Sequence, residues 1–381
     1  MNRKKIGIRF TYHSDWTGGV YYASNLVNAL FRIESDKRPL ITVFCKSDEL
    51  EIAREIFFHS GIKFFLLDRK LNLIQRALNK ISRSIFHKEI FTLFPEAGSV
   101  DFVFPNPENY YFKGLRRIFW IPDFQEIHLP YFFSNEEKTL RNNSHKRIAE
   151  NNYPVVLSSS FCEQDFKKMF PLSKSKTFVL HFAVTHPDYK KINIEELKQK
   201  YDLPDQWLIT PNQFWIHKNH ELIIEAVSIL IKSNSKLKIL FTGKEYDYRD
   251  PDFTHRLKQK VKMLNLESHI SFLGFIDRKE QLQLMNHALC VIQPSLSEGW
   301  STVIEDAKAM SQTILASNIE VHREQLTEWE GSKLFFEKDS PHDLADKIDW
   351  VINGTIKRKF VEYDSSVMKF ASQFLKLADL T

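Results

Sequence analysis

Between residues 205 and 320, short apolar runs alternate with stretches whose apolar residues recur at helical spacing, and few folds accommodate that order. Trp207–Thr210, Leu237–Thr242, Ile270–Phe275, Leu289–Gln293 and Thr313–Ala316 read as buried strands. Between them, Asn219–Ile231 sets Leu222, Ile223, Ala226, Val227 and Leu230 on one helical face, and Arg278–His287 and Thr302–Met310 also read as helices. Strands separated by helices in this way pair in parallel through right-handed crossovers, which predicts a Rossmann-like α/β sheet.

The first half repeats the theme. Ile6–Thr11, Leu40–Cys45, Ile62–Leu67, Phe102–Phe104, Ile118–Ile121, Val155–Ser158 and Thr177–Phe182 are strand candidates; Val20–Phe31, Asp48–Phe58 and Asn135–Asn151 are helix candidates. A chain of 381 residues exceeds what one hydrophobic core usually supports. The polar stretch Val184–Asp205, carrying Pro187 and Pro204, is the predicted boundary. The reading is therefore a first domain over 1–184, a second over 185–364, and a terminal helix in 365–381 free to pack back on the first. Parallel sheets bind ligands outside the carboxyl ends of their strands, so a cleft between the domains is the expected site.

Composition narrows the chemistry. A net charge of +5 falls short of a dedicated nucleic-acid binder but suits phosphorylated ligands or an anionic membrane. Cys45, Cys162 and Cys290 have no paired spacing, which suits a reducing compartment. No secretory or membrane-spanning apolar run is present, so the expected location is cytoplasmic, peripheral at the inner face of the membrane. From Arg69 to Lys88 there is no acidic residue, while Arg69, Lys70, Arg76, Lys80, Arg83 and Lys88 are basic and Leu71, Ile74, Leu78, Ile81 and Ile85 share helical spacing. That is the pattern of an interfacial helix on anionic lipid, or of a helix covering the sheet with a basic outer face.

The turn after Gln293 carries the strongest chemical signal. Glu298 and Gly299 precede a helix beginning near Ser301, whose first amides have no intrahelical partners and can grip a phosphate. Gly299 leaves room for a ligand. Glu305, one helical turn in, could accept two vicinal hydroxyls, although Thr302-Val-Ile-Glu305 also matches a capping box. In Pro211–Asn219, Lys218 stands just before a helix and can neutralise a diphosphate. His217 and His220 lack a third ligand of suitable spacing, so no metal is expected. Gly18-Gly19 follows the first strand and permits close approach of a ligand; Asp123 ends another strand, with His128 supporting its loop, and Ser158–Ser160 can cap the helix that follows.

The run Ser297-Glu-Gly-Trp300 with Val303-Ile-Glu-Asp-Ala-Lys-Ala-Met310 resembles the signature of glycosyltransferase family 4, enzymes of the GT-B fold in which a Glu-x7-Glu pattern follows a Pro-Ser strand end. The resemblance extends over roughly residues 205–325, through Ile270–Ile276, Gln281–Ala288 and Asn318–Gln325. It implies two Rossmann-like domains with parallel sheets facing a central cleft, and retaining transfer of a sugar from a nucleotide diphosphate-sugar to a glycan or lipid-linked acceptor, as in bacterial surface polysaccharide or lipopolysaccharide synthesis. It implies no cofactor and no metal. Glu298 would contact the donor sugar and Glu305 the ribose; Lys218 and the amides around Trp300, Ser301 and Thr302 would meet the diphosphate. Phe275 would lie near the base, Gly18-Gly19 would be the first-domain glycine loop, and Asp123 would position the acceptor hydroxyl or receive its proton.

Two departures stand out. Only six residues separate Glu298 from Glu305, and Asn212 or Gln213 occupies the neighbourhood of the family's phosphate-binding arginine, with Arg9 and Arg323 as candidate replacements. A nucleotide-sugar epimerase or phosphorylase of the same architecture, or a non-catalytic sugar-nucleotide-binding protein, are the rival readings.

Overall fold

The computed structural model describes residues 3–12, 17–67, 71–86, 90, 100–106, 115–231 and 237–380. Arg69, Lys70, Lys88 and residues 13–16 lie outside them, as do the side chains of residues 83–86.

The first lobe runs β1 (Lys5–Arg9), α1 (Thr17–Phe31), β2 (Leu40–Cys45), α2 (Leu50–Ile56), β3 (Lys63–Leu66), α3 (Leu73–Phe86), β4 (Phe102–Phe104) and β5 (Arg116–Arg117). It continues through β6 (Phe119–Ile121), α4 (Gln125–His128), α5 (Asn135–Glu150), β7 (Val155–Leu157), α6 (Ser160–Met169) and β8 (Thr177–Val179). The second runs α7 (Ile194–Tyr201), β9 (Leu208–Thr210), α8 (His220–Leu230), β10 (Ile239–Thr242), α9 (Phe253–Met263), β11 (Ile270–Gly274), α10 (Arg278–His287), β12 (Val291–Gln293), α11 (Thr302–Ala309), β13 (Ile314–Ser317), α12 (Glu320–Thr327), β14 (Lys333–Phe336) and α13 (Pro341–Ile352), and α14 (Asp364–Leu375) closes the chain.

The strands form sheets ordered β3-β2-β1-β4-β5, β6-β7-β8 and β11-β10-β9-β12-β13-β14, with parallel pairing. Strands buried on both faces carry continuous apolar sequence, as Ile239–Phe241 and Ile314–Ala316 do, each fully buried. The outer sheets share one plan: the first strand is central, the second and third extend one way, and the fourth onward extend the other. That is the doubly wound order, and it opens a crevice where the direction of winding reverses, between β9 and β12 in the second lobe and between β1 and β4 in the first.

Several elements carry too faint a pattern to stand out in the sequence: α7, α9, α12, α13 and β14. In α9 Phe253, Leu257 and Val261 mark the buried apolar stripe, and the rest of the segment is mostly polar or charged. The terminal helix α14 buries Val367, Phe370, Ala371 and Phe374 in the core built on β1, β4 and α1, where Phe374 packs edge-on against Phe104.

Helix α3 is inverted relative to an ordinary covering helix. Asn79 and Ser82 are buried, whereas Leu73, Ile74, Leu78 and Ile81 are exposed, Ile74 by 72% and Ile81 by 56%. No helix among the described residues is long and apolar enough to cross a membrane.

Candidate functional site

The two turns singled out by the sequence meet at the crevice between β9 and β12. After β9 the chain makes a single turn at Ile216–Lys218, then enters α8 through Asn219 with a left-handed backbone (φ 53°). After β12 it passes Glu298 and enters α11. The His217 carbonyl accepts a hydrogen bond from the Leu296 amide at 2.8 Å, so the loops are fixed to each other. Gly243, at the end of β10, packs on the same loop: with φ +147°, a Cβ there would sit 2.1 Å from the Asn212 carbonyl oxygen. Only glycine fits.

Lys218 Nζ donates to Glu298 Oε1 at 2.5 Å, and both side chains are largely buried while lining a cleft between the lobes. Behind them, Asn212 Nδ2 donates to Gln293 Oε1 at 2.8 Å, and Gln293 Nε2 donates to Ser295 Oγ and Glu298 Oε1. Burial would push the Glu298 carboxyl up, but the Lys218 ammonium outweighs this and holds it below its ordinary value. The cleft thus presents an ionised carboxylate against an ammonium. It has a cavity volume of about 200 Å³ and opens to solvent between the lobes.

The phase of α11 reverses one expectation. Its N-cap is Ser301, whose hydroxyl accepts from the Ile304 amide, so Thr302 does not begin a capping box. Glu305 consequently points away from the cleft: 1% exposed, it accepts from Lys308 Nζ (2.8 Å), Gln325 Nε2 (2.8 Å) and the Tyr363 hydroxyl. The acid that lines the cleft is its neighbour Asp306. Seven residues, not six, separate Glu298 from Asp306, so no shortening of the turn is needed. Arg278 Nη2 reaches both Asp306 oxygens at 2.6 Å, and His186 Nε2 lies 3.0 Å from Oδ1. Burial would raise the Asp306 carboxyl; Arg278 and His186 outweigh it, and the group stays below its usual value.

Asn212, Phe275, Trp300, Ser301 and Thr302 also line the cleft, Phe275 with 68% of its surface exposed. The Ser301 amide is already engaged by Gln325 Oε1 at 3.1 Å; Thr302 and Val303, whose amides lie in the first turn of α11 and lack intrahelical acceptors, line the cleft. Neither suggested replacement arginine reaches it. Arg9 is held against the Phe10 and Phe44 carbonyls and Glu49, and Arg323 against Asn318 and Glu320. The arginine that does line the cleft is Arg278, whose guanidinium also lies 4.9 Å from the centre of the Tyr21 ring.

The first lobe supplies the opposite wall. Gly18, Tyr21, Trp120 and Asp123 line the cleft, whereas Gly19 opens instead onto a separate small cavity beside Arg9. Asp123 accepts from Arg141 Nη1 at 3.3 Å and from the Gln125 amide. His128 pairs with Asp165 at 2.6 Å, and Ser159 caps α6 through the Cys162 amide. Gly299 lines the cleft and also lets the lobes meet: a Cβ would sit 1.9 Å from the Pro122 carbonyl oxygen. Beside it Trp300 stacks on His181, with centroids 4.1 Å apart, and its indole donates to the Phe182 carbonyl. Among the described residues no group of three or more His, Cys, Asp or Glu side chains could hold a metal ion.

Residues 193–365 match the family described as glycosyl transferases group 1. The serotype-specific mannosyltransferase WbdA of Escherichia coli is 28% identical over 167 residues, 43% of this chain and 19% of the relative. The O-antigen chain mannosyltransferase RfbU of Salmonella typhimurium is 26% identical over 172 residues, 45% of this chain and 44% of the relative. The chain thus spans under half the length of these relatives. Across 99% of the chain and 95% of its counterpart, the fold matches that of Anabaena HepE, solved with UDP and glucose, at a TM-score of 0.64 and 15% identity.

Proposed function

From a chain that carries a glycosyl transferases group 1 domain over residues 193–365 and has the GT-B fold, we propose an enzyme that moves a sugar from a nucleotide diphosphate-sugar to a glycan or lipid-linked acceptor in bacterial surface polysaccharide synthesis. The observation that carries this reading is the convergence of Lys218 and Glu298 at the crevice between β9 and β12.

In this reading the second lobe, 185–364, holds the donor and the first, 1–184, faces the acceptor, with 365–381 completing the first lobe's core. The base lies toward Phe275. Asp306 takes the ribose role in place of Glu305, being the acid of α11 that lines the cleft. Lys218, Arg278 and the amides of Thr302 and Val303 surround the diphosphate. As the bond between the anomeric carbon and the phosphate oxygen breaks, its electron pair leaves with the diphosphate, and these fixed donors stabilise the growing charge. The acceptor hydroxyl oxygen, oriented by Asp123, bonds to the anomeric carbon, and its proton passes to the departing diphosphate oxygen. Retention of configuration and transfer without a metal belong to the same proposal. The mannosyltransferase relatives and the UDP- and glucose-bound HepE support a nucleotide-sugar donor. The outward apolar stripe of α3, with exposed Arg76 and Lys80, supports docking on anionic lipid at the cytoplasmic face of the membrane.

Lys218→Ala and Asp306→Asn should each weaken nucleotide-sugar binding at least tenfold, the loss of one charged contact; each also leaves a buried partner charge unpaired and lowers the melting temperature, so affinity is compared on folded protein below it. Free nucleoside diphosphate should appear only when an acceptor is supplied, which separates transfer from epimerisation and from binding alone. Unchanged donor affinity in both variants would overturn the assignment.

A further inference from the structure

His217 lines the cleft beside Lys218, is 1% exposed, and plays no part in the reading above. Its ring is held from one side. Arg249 Nη2 lies 3.0 Å from Nδ1, and a guanidinium can only donate, so Nδ1 accepts and the ring proton sits on Nε2. Arg249 is itself immobilised by Asp247, which takes its Nε and Nη2 at 2.9 Å each and also accepts the Ile216 amide at 2.8 Å. The backbone that carries the histidine is therefore tied to the acid that orients its arginine.

Nε2 is buried and has no hydrogen-bond partner among the described residues. A buried donor without an acceptor is costly, and on a residue that lines the ligand cleft it calls for an acceptor from the ligand. Burial, reinforced by Lys218 and Arg249, keeps the imidazole well below its usual pKa, so the ring remains neutral.

We propose that His217 donates its Nε2–H to a non-bridging phosphate oxygen of the bound nucleoside diphosphate, as a neutral partner to the Lys218 ammonium. This rests on the reading of the cleft as a nucleotide-sugar site, and it assigns to a histidine one of the contacts that an arginine ahead of Lys218 would make. A neutral donor fixed by a buried ion pair keeps its direction as charge moves onto the diphosphate, which is the arrangement that stabilises a developing anion most effectively.

The test uses the full chain with UDP and GDP as diphosphate probes and uridine and guanosine as controls. His217→Leu should weaken whichever diphosphate binds by roughly ten- to a hundredfold, as expected for one hydrogen bond to a charged acceptor, and leave the nucleosides unaffected. His217→Gln, which can place an N–H near the Nε2 position, should recover most of the loss; His217→Asn, whose amide reaches only the Nδ1 position, should not. If His217→Leu fails to fold, the contrast between Gln and Asn decides alone. The loss should be constant between pH 6 and 9, because the ring does not titrate there. Wild-type diphosphate affinity in His217→Leu, with Lys218→Ala impaired, would overturn the proposal and leave the cleft reading intact. Wild-type affinity in both would remove the cleft reading itself. Equal weakening of nucleosides and diphosphates would make His217 a purely structural residue and also overturn it.

Discussion

Among the described residues four histidines are buried without charge, and their cost appears on acidification. Burial pushes His145 and His322 down to about 4 and His220 to about 3, and lowers His217 as well. In the unfolded chain each returns to about 6.5. Below that value the unfolded state binds more protons than the native one, so stability rises with pH across the window and is lost as pH falls from about 6.5 toward 4. Each histidine should remove roughly 2 kcal/mol between pH 7 and pH 5. Glu298 and Asp306, held below their ordinary values, act in the same direction at lower pH: their contribution is present above the unfolded carboxyl pKa and disappears as pH drops through the folded one. Urea midpoints at pH 7 and 5 check this, and equal midpoints would contradict it. At this scale Lys218, Glu298, Asn212 and Asp123 were legible because strand-to-helix turns fix where their side chains emerge. Glu305 was not. Adjacent acids on a helix differ by about 100° in direction, and which one faces the ligand depends on a phase that Ser301 sets from outside the pair.

Among the elements, strands and helices of the second lobe followed the apolar pattern closely; Arg278–His287 matches α10 end to end. The segments that escaped notice, such as α9 and α12, pack through one narrow stripe and present charge elsewhere, so their periodicity is diluted. Nor does sequence reveal why Gly299 is glycine. Room for ligand and room for the other lobe demand the same residue, and only the 1.9 Å approach to the Pro122 carbonyl distinguishes them. Gly299→Ala should therefore force the turn off the first lobe while leaving Lys218 and Asp306 on the second undisturbed. Nucleotide affinity should stay within a few-fold, and acceptor-dependent turnover should fall on the order of a hundredfold, as for misplaced reacting groups. Titration calorimetry beside a transfer assay checks both; undiminished turnover would show that lobe contact at this point is dispensable. Glu324 ties the same lobes nearby, accepting the Ser160 amide at 2.7 Å and pairing with His181 at 2.7 Å.

For the whole molecule, parallel sheets around a cleft were legible from strand–helix alternation, but the split of the first lobe's strands into β3-β2-β1-β4-β5 and β6-β7-β8 and the facing of α3 were not. Periodicity identifies an apolar stripe; it does not say whether the stripe meets the core or the solvent. Asn79 and Ser82 inside, with Ile74 and Ile81 outside, answer that. Ile74→Glu with Ile81→Glu should abolish flotation on phosphatidylglycerol vesicles while changing stability by only about 0.5 kcal/mol, as surface substitutions usually do. Failure of the unaltered protein to float would remove the membrane proposal.

The amide of Gln293 gives the centre of the molecule a sense of direction. Because its oxygen is claimed by Asn212, its nitrogen must point at Ser295 and Glu298. Orientation is thus inherited link by link, like a current with one permitted sense, from Asn212 through Gln293 and Glu298 to Lys218. An aspartate in place of Asn212 would set oxygen against oxygen and turn the Gln293 amide over, delivering a second acceptor to Glu298. A change of one atom's identity, on the far side of a fully buried side chain, would reach the ammonium at the cleft without moving the backbone.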